Sequence, residues 1–149
     1  GEMIMNDIIL VSGGFDPIHR GHIDLIKDAS KYGDVVVLLN SDAWLIQKKG
    51  KEFLPYKERK IIMSALKNVI DVISFDDSDK TCVDGIRKAI EKYPNQKIKF
   101  ANGGDRSDNT TPSSETIYCK QNKVEVLWGI GGNNKKNSSS WILKQWHQR

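Results

Sequence analysis

The stretch Asp7-Ile8-Ile9-Leu10-Val11-Ser12-Gly13-Gly14-Phe15-Asp16-Pro17-Ile18-His19-Arg20-Gly21-His22 joins an apolar run, two glycines and two imidazoles three residues apart. Asp7 to Ser12 reads as a buried strand, and Ile23, Ile26 and Ala29 continue at helical spacing after the second histidine. The His-x-Gly-His unit therefore opens a helix. A helix N-terminus presents unpaired backbone N–H groups and the positive end of a dipole, both of which favour anions. Two histidines there add donors able to follow charge developing on a phosphate. Gly13 and Gly14 permit close backbone approach, and Pro17 stiffens the entry to the helix. The plainer alternative for either histidine is a helix cap or a satisfied surface residue.

Outward from this junction, strands and helices alternate. Asp34 to Asn40 holds Val35-Val36-Val37-Leu38-Leu39, an apolar run suited to a parallel strand covered on both faces. Residues 57–68 read as a helix with Ile61, Ile62, Ala65 and Leu66 on its apolar side, and Val69 to Phe75 as a third strand. A helix over Asp79 to Tyr93, a strand at Ile98 to Ala101, a helix from near Pro112, a strand at Val124 to Trp128 and a last helix over Ser138 to Trp146 complete the pattern. It predicts a doubly wound, Rossmann-like α/β fold with a five-stranded parallel sheet and right-handed crossovers. Such sheets bind ligands beyond the carboxyl ends of their strands. Gly13 to His22, Asn40 to Lys51, Asn102 to Asp105 and Gly129 to Ser140 all fall there, and Lys48-Lys49-Gly50-Lys51 is placed in a loop.

A chain of 149 residues reads as one domain, over 3–149, with Gly1-Glu2 as a cloning scar. Its apolar and charged fractions, 38% and 28%, exclude a disordered chain. No apolar run reaches the length of a membrane span and no signal-peptide layout is present, so a cytoplasmic location is expected, with no membrane partner. Cys82 and Cys119 have no metal or redox spacing. The net charge of +4 comes from scattered lysines without interleaved aromatics, so no nucleic-acid partner is expected and a phosphate-rich small substrate accounts for the balance. Neither G-x-G-x-x-G after the first strand nor a P-loop occurs, which sets aside a dehydrogenase or a P-loop phosphatase.

The segment Gly14 to His22 resembles the signature of the cytidylyltransferase-like nucleotidyltransferases. The resemblance extends through Asn40-Ser41-Asp42, the lysines around Lys48, Glu58-Arg59, Gly103-Gly104-Asp105 and Ser138-Ser139-Ser140. It implies transfer of a nucleoside monophosphate from a nucleoside triphosphate to a small phosphorylated acceptor, with release of pyrophosphate. By resemblance His19 and His22 donate to triphosphate oxygens, Lys48 neutralises the α-phosphate, and Arg59 holds the triphosphate or the acceptor phosphate. Gly13, Gly14, Phe15, Gly104, Asp105 and Ser138 to Ser140 would bind nucleotide, and Asp42 would border the acceptor. Mg²⁺ would arrive with the triphosphate, helped by Asp16. For Asp42 and Ser138 to Ser140 a helix-cap role is the simpler alternative.

Asn133 and Asn134 stand where the glycerol-3-phosphate cytidylyltransferases carry an arginine, while the second-strand and Gly-Gly-Asp segments look closer to heptose 1-phosphate adenylyltransferases. The reading thus leans to ATP and a sugar phosphate, with CTP and glycerol 3-phosphate or a related phosphate or phosphonate as the alternative. A non-catalytic nucleotide-binding module is the rival from another class. A homodimer is left open.

Overall fold

The computed structural model describes residues 5–103 and 111–132. Ten elements alternate: β1 (Ile8–Gly13), α1 (Arg20–Ala29), β2 (Asp34–Leu39), α2 (Asp42–Lys49), α3 (Tyr56–Ser64), β3 (Val69–Ser74), α4 (Val83–Lys92), β4 (Ile98–Gly103), α5 (Ser113–Gln121) and β5 (Glu125–Ile130). The five strands form one parallel sheet in the order β3-β2-β1-β4-β5. The chain winds outward from β1 to β3, then crosses back to lay β4 on the other flank of β1. The topological switch lies between β1 and β4, where open α/β sheets form their ligand crevice.

Strand residues alternate between two apolar layers. Ile8, Leu10, Val36, Leu38, Ile98 and Phe100 pack with Ile86 and Ala89 of α4 and Cys119 of α5. Ile9, Val11, Val35, Val37 and Leu39 pack with Ile26 and Ala29 of α1 and Met63 of α3. Both faces of β1 and β2 are thereby covered, which is why their sequences are apolar without alternation. The β1–β2 ladder runs to Gly13 opposite Leu39, whereas the β1–β4 ladder stops at Leu10 opposite Phe100.

Two expectations are corrected. Residues 42–49 form a helix, not a loop: the Ser41 hydroxyl accepts the Trp44 N–H, Leu45 is buried, and Gly50 at φ 88° ends the helix with its N–H on the Ile46 carbonyl. A single buried side chain in eight residues leaves no periodicity to read. In α3 the buried residues are Arg59 and Met63, while Ile61 is 56% exposed and the helix ends at Ser64. The predicted apolar side was displaced because a long cation, not an aliphatic residue, occupies the inward face. The predicted last helix over Ser138 to Trp146 lies outside the described residues.

Candidate active site

The turn after β1 is built around its histidines. His19 is the N-cap of α1; its Nδ1 accepts the Gly21 N–H at 3.0 Å, and His22 Nδ1 accepts the His19 N–H at 3.2 Å. The pair forms a reciprocal capping box in which imidazoles occupy the places usually taken by Ser or Thr and by Glu. The rings stack, centroids 3.7 Å apart, and Phe15 meets His22 edge-on at 4.8 Å. Phe15 holds φ at 49°, a left-handed conformation uncommon for a bulky side chain, and the Asp16–Pro17 peptide is cis.

Because each Nδ1 accepts a backbone N–H, it carries no proton, and in the neutral ring the proton sits on Nε2. Both rings are held neutral. Desolvation lowers the pKa of His19; desolvation, then repulsion from a proton on His19 and from the Lys48 and Lys49 charges, pushes His22 down to about 3. The two Nε2–H groups are therefore donors at neutral pH, and neither Nδ1 is available as a base.

Helix α2 packs beside this turn. A Cβ on Gly14 would come within 2.6 Å of Leu45 Cδ2, so a side chain there would force the buried Leu45 to shift. Lys48 lies 4.7 Å from the centre of the Trp44 ring, and its charge is felt at His22. The structure thus brings Gly13, Gly14, Phe15, His19, His22 and Lys48 together at the carboxyl end of β1.

Three of the assigned side chains, Asp16, Arg59 and Asp42, have protein partners. Asp16 is not placed to hold a metal: its Oδ2 accepts the Phe53 N–H at 2.6 Å and pairs with Lys49 Nζ at 3.2 Å, and its Oδ1 accepts the Leu54 N–H at 2.7 Å. Lys49 Nζ also donates to the Asp16 carbonyl. Asp16 instead anchors the segment after α2.

Arg59, 1% exposed, is likewise committed to protein. Nε donates to the Leu54 carbonyl, Nη1 to the carbonyls of Gly14 and Asn40, and Nη2 to Asp42 at 2.7 Å. It ties the ends of β1 and β2 to α2 and α3. Asp42 partners that guanidinium, and the cap is Ser41.

Sequence reasoning missed Asp77. Buried after β3, it accepts from Asn40 Nδ2 at 3.0 Å and from the N–H and hydroxyl of Ser41 at 2.8 and 2.7 Å, fixing the start of α2. Its position beyond a strand's carboxyl end, within Asp76-Asp77-Ser78-Asp79, was the only signal. Gly104, Asp105, Asn133, Asn134 and Ser138 to Ser140 lie outside the described residues.

Comparison with known proteins agrees with this architecture. The model of the family described as cytidylyltransferase-like matches residues 10–141. The bifunctional protein HldE of Citrobacter koseri and that of Salmonella arizonae are each 32% identical over 124 residues, covering 80% of this chain. The chain spans 24% of the length of these relatives. The lipopolysaccharide core biosynthesis protein from Thermoplasma volcanium GSS1 has the same fold, with a TM-score of 0.65 at 20% identity over 86% of this chain and 98% of that one.

Proposed function

This chain belongs to the cytidylyltransferase-like family, and from that premise we propose that it transfers a nucleoside monophosphate from a nucleoside triphosphate to a small phosphorylated acceptor. An acceptor phosphate oxygen attacks the α-phosphorus in line, the bond to the β-phosphate oxygen breaks, and pyrophosphate leaves. That oxygen is anionic at neutral pH, so no general base is required. The observation that carries the reading is the pair of neutral imidazoles whose Nδ1 atoms are taken by the backbone, leaving Nε2–H donors at a helix N-terminus. Fixed donors aimed at developing charge are the main catalytic device for phosphoryl chemistry. Lys48, whose charge reaches His22, supplies a cation for the α-phosphate.

The described residues do not fit a protein-held Mg²⁺. Asp16 is committed to two backbone N–H groups and Lys49, and no group of three His, Cys, Asp or Glu side chains able to hold a metal occurs among them. We propose that the ion enters as part of the substrate, the magnesium complex of the triphosphate. ATP and a heptose-type sugar 1-phosphate are the proposed pair. Support comes from the resemblance of the second-strand and Gly-Gly-Asp segments to the adenylyltransferase type and from Asn133 and Asn134 in place of arginine.

Pyrophosphate release across four nucleoside triphosphates and a panel of phosphorylated sugars, polyols and phosphonates tests the reading. Turnover with ATP and a sugar 1-phosphate supports it. Turnover only with CTP and glycerol 3-phosphate keeps the reaction and replaces the substrates, and nucleotide binding without any turnover assigns a regulatory module instead.

A further inference from the structure

On the opposite side of β1 from the histidines lies a second set of polar groups that the proposed chemistry does not use. Past Leu10 and Phe100, β1 and β4 run on without ladder pairing, and the alternation of the strands puts Ser12 and Asn102 on the α4 and α5 side of that split. Thr111 donates its hydroxyl to Asn102 Oδ1 at 3.1 Å, which orients the amide; Asn102 Nδ2, in a residue 2% exposed, has no partner among the described residues. Glu115, in the first turn of α5 and 4% exposed, accepts the Cys82 N–H on Oε2 at 2.9 Å, while its Oε1 also lacks a partner. The Cys82 thiol is kept protonated by burial and by the Glu115 charge.

Buried polar atoms are almost always paired, and an orphaned one carries a desolvation cost that a ligand group can relieve. Here one orphan accepts and the other donates, both on the α4 and α5 side of the β1–β4 switch, the region where this sheet type binds ligands. A hydroxyl group is both donor and acceptor. A phosphorylated polyol or sugar carries several, beside the phosphate that must reach the histidine side of β1.

We propose that Ser12, Asn102 and Glu115 form the pocket that selects the acceptor by its hydroxyl groups, with Glu115 Oε1 accepting from one hydroxyl and Asn102 Nδ2 donating to one. This rests on the nucleotidyl-transfer reading above. The Glu115→Gln variant keeps an oxygen for the Cys82 N–H but cannot accept at both positions, and Asn102→Ala removes the donor. Each should raise the KM for the acceptor by about tenfold to a hundredfold and leave the KM for the nucleotide unchanged.

The experiment is steady-state pyrophosphate release with glycerol 3-phosphate, hexose 1-phosphates and their monodeoxy analogues, on wild type and both variants. In wild type at least one deoxy analogue should lose about tenfold or more in kcat/KM, and Glu115→Gln or Asn102→Ala should erase that difference. The wild-type comparison stands even where a variant does not fold. Turnover with unchanged acceptor KM in folded variants, or equal use of every deoxy analogue by wild type, overturns the pocket alone. Absence of wild-type turnover with any pair overturns the transfer reading and the pocket with it.

Discussion

Two imidazoles in one capping box make tautomer, charge and position a single property at the residue scale. His22 has its pKa moved from 6.5 to about 3, so the folded protein keeps it neutral where the unfolded chain binds a proton. Stability is thus fully present above pH 6.5 and is lost as pH falls from 6.5 toward 3, at about 1 kcal/mol per pH unit from this group. Urea denaturation across that window should show the slope, and His22→Gln should flatten it. In catalysis, His22→Ala should lower kcat by about 10²-fold with the fold intact, since one donor to a developing oxyanion is worth that much. Near-normal kcat in that variant would end the mechanism proposed here. The histidines were legible because their spacing is local. Arg59 and Asp16 were singled out by motif, but their protein partners were not legible: what a side chain bonds to depends on Asn40, Asp42 and Leu54, brought near only by folding.

At the scale of elements, α2 is the least autonomous piece and the one that carries Lys48. It is fixed by contacts from outside itself: Asp77 at Asn40 and Ser41, Arg59 at Asp42, and the close approach of Gly14 to Leu45. Gly14→Ala should push Leu45 and the helix outward, costing about 1 to 3 kcal/mol as overpacking does. Because α2 carries Lys48, kcat should fall further than the loss of stability explains, which thermal melts compared with single-turnover rates will separate. Arg59→Met should cost about 3 kcal/mol or more, since it strands the carbonyls of Gly14 and Asn40 and the Asp42 carboxylate; a stability loss under 1 kcal/mol in urea would contradict the hub role. The partners of Arg59 and Asp77 do not show in the sequence. A helix whose supports come from residues up to 37 positions away has no local signature.

For the whole molecule, the parallel sheet and its crevice followed from the alternation of apolar runs with helical periods, because coverage on both faces makes a strand apolar throughout. Strand order did not follow, since nothing local states that β4 returns to the flank of β1. Nucleotide choice belongs to this scale as well, resting on segments after different strands. ATP should exceed CTP in kcat/KM by about tenfold or more with one acceptor, and the reverse order would replace adenylyl by cytidylyl transfer. The return of β4 has a consequence during synthesis. Ile8 to Leu10, all fully buried, form the middle of the sheet, yet their second neighbour is 90 residues further along the chain. Until residues 98–100 leave the ribosome, β1 can pair only with β2, and its other edge stays open and apolar. A nascent chain stalled after β3 therefore holds a sticky flank that the finished protein never shows, and should depend on chaperones in proportion to the length of that pause.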